Sequence, residues 1–351
     1  MKILHIDTER TWRGGEQQVL YLLRGLRERG HDSTVICQPA SPLAERAGAE
    51  GIHVKEVAMK GGLDPFAVFE ISRAYRQGYQ ICHMHTSNAH SLGYYASLLA
   101  KGPKLAVSRR VSFPLKGFLG KLKYTGADRI IAVSAEIKKG LVKKGIDEEK
   151  VAVVHSAIDL KRFDKYEGEP EKPVVGIFAH LAEHKGHKYF FDAGLKISKD
   201  FPHVSFIVAG DGEERGNLEK YVESLGIEGK VDFRGFSKEV PSLLKECTIT
   251  VLSSISGEGS PGVLKESMAA GVPVITTDVG GSAEVVENGR SGIVVPPADS
   301  EALAKGMEKL LGHKSFREAM RRGGLERVKA FSAENMVDKT EALYREILRI
   351  K

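Results

Sequence analysis

The chain has 351 residues, 42% of them hydrophobic and 28% charged, with a net charge of +6. That length suits two ordinary domains, and the composition is that of a globular protein rather than a disordered or fibrous one. No apolar run approaches the roughly 18–20 residues of a membrane-spanning helix, and Met1-Lys-Ile-Leu-His-Ile-Asp7 reads as a short strand, not a secretory signal.

In chain order, Lys2–Ile6 is a strand. Val19, Leu20, Leu22, Leu23 and Leu26 recur at helical spacing and predict a helix over Glu16–Glu28, ended by Gly30. Strands Asp32–Cys37, His53–Val57, Ile81–His85, Lys104–Ser108, Arg129–Val133 and Val151–His155 follow, with helices Leu43–Glu50, Pro65–Gln77, Ala89–Leu99 and Ala135–Lys144 among them. The charged, proline-containing run Lys165–Pro173 reads as a linker. A second series has strands Val174–Phe178, Val204–Ala209, Val231–Phe233, Ile249–Leu252, Val274–Thr276 and Gly292–Val295. Its helices are Lys188–Lys199, Glu213–Ser224, Val240–Lys245, Pro261–Ala270, Glu301–Leu311 and Phe316–Ala330, and a last helix, Ala333–Ile350, follows. Repeated strand–helix units predict two open parallel α/β sheets, with ligand crevices outside the carboxyl ends of their strands. Cys37, Cys82 and Cys247 are scattered and odd in number, as expected of reduced thiols in a cytoplasmic protein.

The densest chemistry lies in Glu258-Gly-Ser-Pro-Gly-Val-Leu-Lys-Glu266. Ser260-Pro261 reads as a helix start, with Ser260 as N-cap and Pro261 as the first helical residue. Glu258 then precedes the helix, Glu266 sits in its second turn, and the free N–H groups between them suit an anion. Two acids beside an anion site fit a ligand with both phosphate and hydroxyl groups, such as a nucleotide sugar. Ionised carboxylates accept hydroxyl hydrogen bonds. A glycosidase pair fits less well, because such acids must straddle a bond.

Four strand-to-helix turns add to this. Gly14 and Gly15 end the first loop and let backbone approach a ligand, or serve a turn that needs glycine. That loop is neither Gly-x-Gly-x-x-Gly nor a Walker loop, which disfavours a nicotinamide dehydrogenase. His180 and Lys185 face a diphosphate in one reading and the surface in the other. Gly210 and Gly212 admit a ligand, or Asp211 between them caps a helix. Arg234 borders a nucleobase, or belongs to a plain strand edge. His83 and His85 share a strand face, but no acid at metal spacing follows, so no metal is expected and His85 is kept as a polar acceptor contact. No serine lies in a Gly-x-Ser-x-Gly elbow. Lys101–Arg129 carries Lys104, Arg109, Arg110, Lys116, Lys121 and Lys123, with Phe113, Leu115, Phe118 and Leu119 interleaved. It fits nucleic acid, an anionic membrane face, a phosphorylated acceptor, or a solvated helix face.

Taken together these residues resemble the retaining glycosyltransferases of family 4, nearly end to end. The resemblance is carried by Gly14-Gly15, Val154-His-Ser-Ala-Ile-Asp159, Lys185-Gly186, Gly210-Asp-Gly212, Glu258…Glu266 and Ala269-Ala-Gly-Val-Pro-Val-Ile275 with Gly280-Gly281. It implies a GT-B fold of two Rossmann-like domains facing a cleft. Residues 1–168 would bind the acceptor and 169–331 the donor, and a final helix, 332–351, would pack back on the first domain. By that resemblance Glu266 binds ribose hydroxyls, and Glu258 holds the transferred hexose as a catalytic residue together with Lys185. Backbone N–H groups of Gly262, Val263 and Leu264 meet the phosphates, with Gly14, Gly15, His180, Lys185, Gly210 and Arg234 completing the donor set. Trp12, Glu16, His85, Arg109 and Arg110 form the acceptor set. The donor is a UDP- or GDP-sugar, and neither metal nor other cofactor is needed. The chain departs from the family at Ala179-His180-Leu181, where Gly-Arg-Leu is usual, and at Arg109-Arg110, where many relatives carry His.

The expected activity is therefore cytoplasmic hexose transfer to a cell-envelope glycolipid or lipopolysaccharide, with peripheral contact to an anionic membrane. A soluble sugar phosphate or glucan is the alternative acceptor. A silent nucleotide-sugar binder is an alternative of another class, motivated by His180. A nucleic-acid binder has net charge alone in its favour, and no recognition motif.

Overall fold

The computed structural model describes residues 1–111, 117–163, 168–237 and 239–350, and of 117–119 the backbone only. Phe113, Leu115 and Lys116 of the basic segment, Lys165 of the expected linker, and the side chains of Phe118 and Leu119 lie outside the described residues.

The chain forms two compact units, residues 1–157 with 333–351, and residues 158–332. The first contains β1 (Lys2–Ile6), α1 (Gly14–Glu28), β2 (Asp32–Cys37), α2 (Pro42–Ala49), β3 (His53–Glu56) and α3 (Pro65–Tyr75). It continues with β4 (Ile81–Met84), α4 (Ser87–Leu99), β5 (Lys104–Arg109), α5 (Gly117–Thr125), β6 (Arg129–Ala132), α6 (Ala135–Lys143) and β7 (Val151–Val153). The second contains β8 (Val174–Phe178), α7 (His187–Asp200), β9 (Ser205–Ala209), α8 (Arg215–Leu225), β10 (Val231–Gly235), α9 (Val240–Lys245) and β11 (Ile249–Leu252). It ends with α10 (Gly262–Ala269), β12 (Val274–Thr277), α11 (Ser282–Val285), β13 (Ile293–Val295), α12 (Ser300–Gly312) and α13 (Lys314–Val328). The last helix, α14 (Ala333–Leu348), belongs to the first unit.

All strand pairs are parallel, in the orders β3-β2-β1-β4-β5-β6-β7 and β10-β9-β8-β11-β12-β13. Strands buried on both faces explain the apolar runs: Ile3, Leu4 and Ile6 of β1, and every residue of β11, are buried. In each sheet the order reverses once, between β1 and β4 and between β8 and β11. At such a reversal the loops leave to opposite faces and open a crevice. The loops after β1 and β4 carry Trp12 and His85. Those after β8 and β11 carry Lys185 and Glu258.

Several boundaries differ from expectation. The first unit gives way to the second at Ala157/Ile158, ahead of the charged run expected to divide them. Ile158 N–H donates to Phe331 O, and Ile158 packs with Leu264, Met268 and Phe331. Helix α1 begins at Gly14 rather than Glu16, because Glu16 reaches back to the Arg13 N–H at 2.7 Å and closes the first turn. Pro261, not Ser260, is the N-cap of α10, so Gly262 is its first helical residue. Helices α5 and α11 lacked a readable apolar period. On α14, Met336, Val337 and Tyr344 pack on Tyr21, Leu22 and Leu26 of α1. A Cβ at Gly25 of α1 would stand 2.5 Å from Val337, so glycine permits that close approach. No helix among the described residues is long and apolar enough to cross a membrane.

Candidate active site

In the second unit, two loops at the sheet's reversal are stitched together. Ser253 Oγ donates to Lys185 O (3.1 Å) and Ile255 N–H to His184 O (2.8 Å). A Cβ on Gly186, whose φ is +66°, would lie 2.1 Å from Ser253 O, so this contact requires glycine after Lys185. The stitching brings Lys185 Nζ to 2.6 Å from Glu258 Oε1, which also accepts from Ser254 Oγ. Glu258 is buried.

Helix α10 starts beside this pair. Pro261 supplies no side-chain cap, so the N–H groups of Gly262, Val263 and Leu264 have no intrahelical acceptor. Glu266 is half-buried. Burial raises its carboxyl pKa, opposed by Arg162 and then Lys265. Sequence reasoning passed over Lys265, which is fully buried. Its Nζ donates to Ser260 Oγ (2.7 Å) and Ser260 O (3.2 Å) and lies 5.3 Å from the Phe331 ring centre. Ser260 is thereby engaged by Lys265 instead of capping the helix. Burial brings the Lys265 pKa down to about 7.

The remaining donor candidates divide. His180 Nε2 pairs with Glu213 Oε2 at 3.1 Å on the surface. Gly210 has φ +148°, and a Cβ there would lie 1.9 Å from Ala179 O, so backbone packing already demands this glycine. Gly212 is similarly crowded, 2.4 Å from Leu181 O. Arg234 stands near the carboxyl end of β10, where Phe233 and Gly235 register with Val208 and Ala209. It is the bulged residue of β10, pairs with Asp232 and with Glu246 (3.1 Å), and lines a cavity of about 260 Å³ with Val174 and Ser205, the first residues of β8 and β9. Lys185 follows the other ends of those strands.

In the first unit, Gly14 and Gly15 open α1, and neither has positive φ. Among the described residues a Cβ on Gly14 would meet nothing within 4 Å, and one on Gly15 only Arg110 Cδ at 4.0 Å. Trp12 is partly buried beneath the Arg46 guanidinium, 4.0 Å from its ring centre. Arg109 and Arg110 diverge: Arg109 donates to Tyr124 OH (3.1 Å), while Arg110 donates to Gly15 O (3.5 Å) and His85 Nδ1 (3.3 Å). Asp7 and Glu16 face Arg110 electrostatically. Burial raises the Asp7 pKa to about 7, against the Glu9 N–H, with Glu16 adding to the rise and Arg110 opposing it. Burial also raises that of Glu16, against the Arg13 N–H.

Register brings His5 of β1 beside His83 of β4, giving a buried cluster of His5, His83 and His85. Three imidazoles at this spacing invite a metal, but every ring nitrogen except the buried His5 Nε2 already has a hydrogen-bond partner. Arg110 has only donors, so His85 Nδ1 accepts and His85 Nε2–H donates to His5 Nδ1 at 3.0 Å. His83 bonds Tyr344 OH (2.5 Å) and Ser108 Oγ (2.9 Å) through its two nitrogens. A cation would displace these bonds next to a guanidinium, so the cluster fits a neutral hydrogen-bonded relay better. Burial depresses all three pKa values, that of His5 to about 3.

Residues 12–162 match the family model described as Glycosyltransferase Family 4, and residues 160–327 the one described as Glycosyl transferases group 1. The chain belongs to the group 1, family 4 glycosyltransferases. This glycosyltransferase is 26% identical over 354 residues to the lipopolysaccharide core biosynthesis glycosyltransferase LpsE of Rhizobium meliloti, covering 96% of this chain and 97% of the relative. It is 31% identical over 183 residues to the alpha-D-kanosaminyltransferase of Streptomyces kanamyceticus, and there the match spans 51% of this chain and only 47% of the relative. Among solved structures, Anabaena HepE in complex with UDP superposes with a TM-score of 0.85 at 21% identity, covering 99% of this chain and all of that one. The glycosyltransferase thus has the GT-B fold, each of its units being one parallel-sheet α/β domain.

Proposed function

We propose that the enzyme transfers a hexose, with retention and without a metal, from a UDP-sugar to a glycolipid or lipopolysaccharide-type acceptor at the cytoplasmic face of a membrane. The observation that carries this is the Lys185–Glu258 pair at 2.6 Å beside the uncapped N-terminus of α10, with Glu266 one helical turn on. A diphosphate placed on Gly262–Leu264 meets backbone N–H groups and the positive end of the helix dipole. Lys185 adds a point charge as the leaving oxygen gains negative charge. Glu266 accepts ribose hydroxyls, and Glu258 accepts hydroxyls of the hexose while its partner ammonium turns to phosphate. Gly14, Gly15 and Gly262 support the reading. Among the described residues a Cβ at each has space, so contacts with those residues do not account for the missing side chain.

The LpsE relative supports an envelope acceptor, and the UDP bound by HepE supports a uridine donor. His85, with Arg110 held against it, is the first unit's polar contact for the acceptor. The test is calorimetry with UDP and GDP on Glu266→Ala. Nucleotide affinity is expected to fall at least tenfold with the melting temperature kept. Unchanged affinity refutes the site, and a failure to hydrolyse any sugar in a nucleotide-sugar panel favours a silent binder.

A further inference from the structure

On the outer side of the first unit, α3 and α4 run parallel, both returning from carboxyl to amino ends of the same sheet. Tyr75 OH on α3 donates to Gly93 O on α4 at 3.0 Å, and Arg76 to Leu99 O at 3.4 Å. Their inner faces are fully spent in the core: Ala67, Val68, Ile71, Leu92 and Ala96 are buried. Their outer faces are not polar. Leu63 stands 75% exposed just before α3, Phe66 and Phe69 stand 61% and 53% exposed on it, and Leu98 and Leu99 are 67% and 57% exposed at the end of α4. Among the described residues, few other large apolar side chains are so exposed.

Isolated exposed leucines need no explanation, but Leu63, Phe66 and Phe69 gathered over the first turns of α3 do, while Leu98 and Leu99 lie at the opposite end of the layer. Phe66, Phe69 and Arg73 follow at positions i, i+3 and i+7, so the apolar stripe of α3 runs into a cation on the same face. Lys60 stands exposed at the start of α3, and Arg76 and Lys101 at the far ends of α3 and α4. The acids of α3 add little negative field. Asp64 is turned into its own helix as N-cap, and Glu70 is held between Lys55 (2.8 Å) and Arg73 (3.1 Å). Phenylalanine and leucine rimmed by lysine and arginine is the composition of a surface that settles into the headgroup region of an anionic bilayer.

We propose that the outer face of α3 and α4, centred on Leu63, Phe66 and Phe69, is where this protein rests on an anionic lipid bilayer. The proposal rests on the reading of a lipid-borne acceptor. It adds a contact on these helices to the basic segment at residues 101–123, for which the sequence left a membrane face as one of several readings. Each Lys or Arg near the surface adds a salt-sensitive attraction to the anionic headgroups. The aromatic rings supply the salt-insensitive part.

The experiment is sedimentation of the full chain, without donor, with vesicles of equal parts phosphatidylglycerol and phosphatidylcholine, and with phosphatidylcholine alone. Binding is expected only to the anionic vesicles and is expected to weaken as salt is raised. The double substitution Phe66→Glu, Phe69→Glu is expected to lower the partition coefficient at least tenfold. Both positions are exposed, so its melting temperature and UDP affinity are expected to match the parent. Equal binding to both vesicle types, or equal binding by parent and variant, overturns the proposal. So does a parent dimer that the substitutions convert to monomer, because the face would then join two copies. UDP affinity is measured without vesicles, so failure of the donor site and failure of the membrane face are separate results.

Discussion

The Lys185–Glu258 pair permits a quantitative test. The two groups proposed to meet phosphate and sugar are bonded to each other at 2.6 Å, with side-chain exposures of 18% and 7%. Exposed ion pairs couple by about 0.2–1 kcal/mol, and removing one member of a buried pair costs about 3–5 kcal/mol. Glu258 keeps Ser254 Oγ when the ammonium is lost, and Lys185 retains some solvent, so a coupling of about 2 kcal/mol is expected, between those limits. A double-mutant cycle on Lys185→Met and Glu258→Gln, read by urea unfolding, measures it directly. If the single effects add to within about 0.5 kcal/mol, the pair is not a structural unit and the reasoning fails. The same variants separate lock from ligand. Lys185→Met is expected to weaken UDP. Glu258→Gln frees the ammonium and is expected to leave UDP affinity equal or higher. Equal losses from both changes would refute a competition between carboxylate and diphosphate for one lysine.

Two further outcomes concern buried polar groups. Lys265 has a folded pKa of about 7, against about 10.4 for a free lysine, so the folded protein binds fewer protons than the unfolded chain between those values. Its contribution to stability is therefore expected to rise as pH climbs from about 7 toward 10. Subtracting the melting profile of Lys265→Met from that of the parent should leave this slope, and a flat difference would show that the ammonium is well solvated. Tyr344→Phe removes the partner of His83 Nδ1 and is expected to cost about 1–2 kcal/mol in urea unfolding. UDP affinity is expected to be unchanged, since neither residue belongs to the donor set.

The alternation of strands and helices was legible because parallel strands covered on both faces are apolar throughout, while the helices between them keep one polar side. Helix starts were harder. Gly14 and Gly15 carry no side chain to extend the apolar period, so α1 was expected to begin at Glu16. Strand order was not legible at all. His83 and His85 stand together in the sequence, but His5 joins them only because the chain crosses from β3 back to pair β4 with β1. Asp7 was missed for the same reason, since its environment is made by Glu16 and Arg110 from two other elements.

Position within a turn misled in a different way. Ser260 before Pro261 has the chemistry of an N-cap, but Lys265 lies under the same turn and holds its hydroxyl. A lysine on a short helix is normally taken as solvent-facing. Here α10 is packed by Val328 and Phe331 as well as by its own sheet, and no face is left for solvent at that residue. The glycines make the limit general. Gly14, Gly210 and Gly262 are the same letter in similar strand-to-helix turns. A Cβ at Gly210 would strike Ala179 O, whereas one at Gly14 or Gly262 would strike nothing within 4 Å among the described residues. Backbone packing accounts for the first and does not account for the other two. That difference is set by atoms distant in sequence, and it is what directs the search for a ligand to the first turns of α1 and α10.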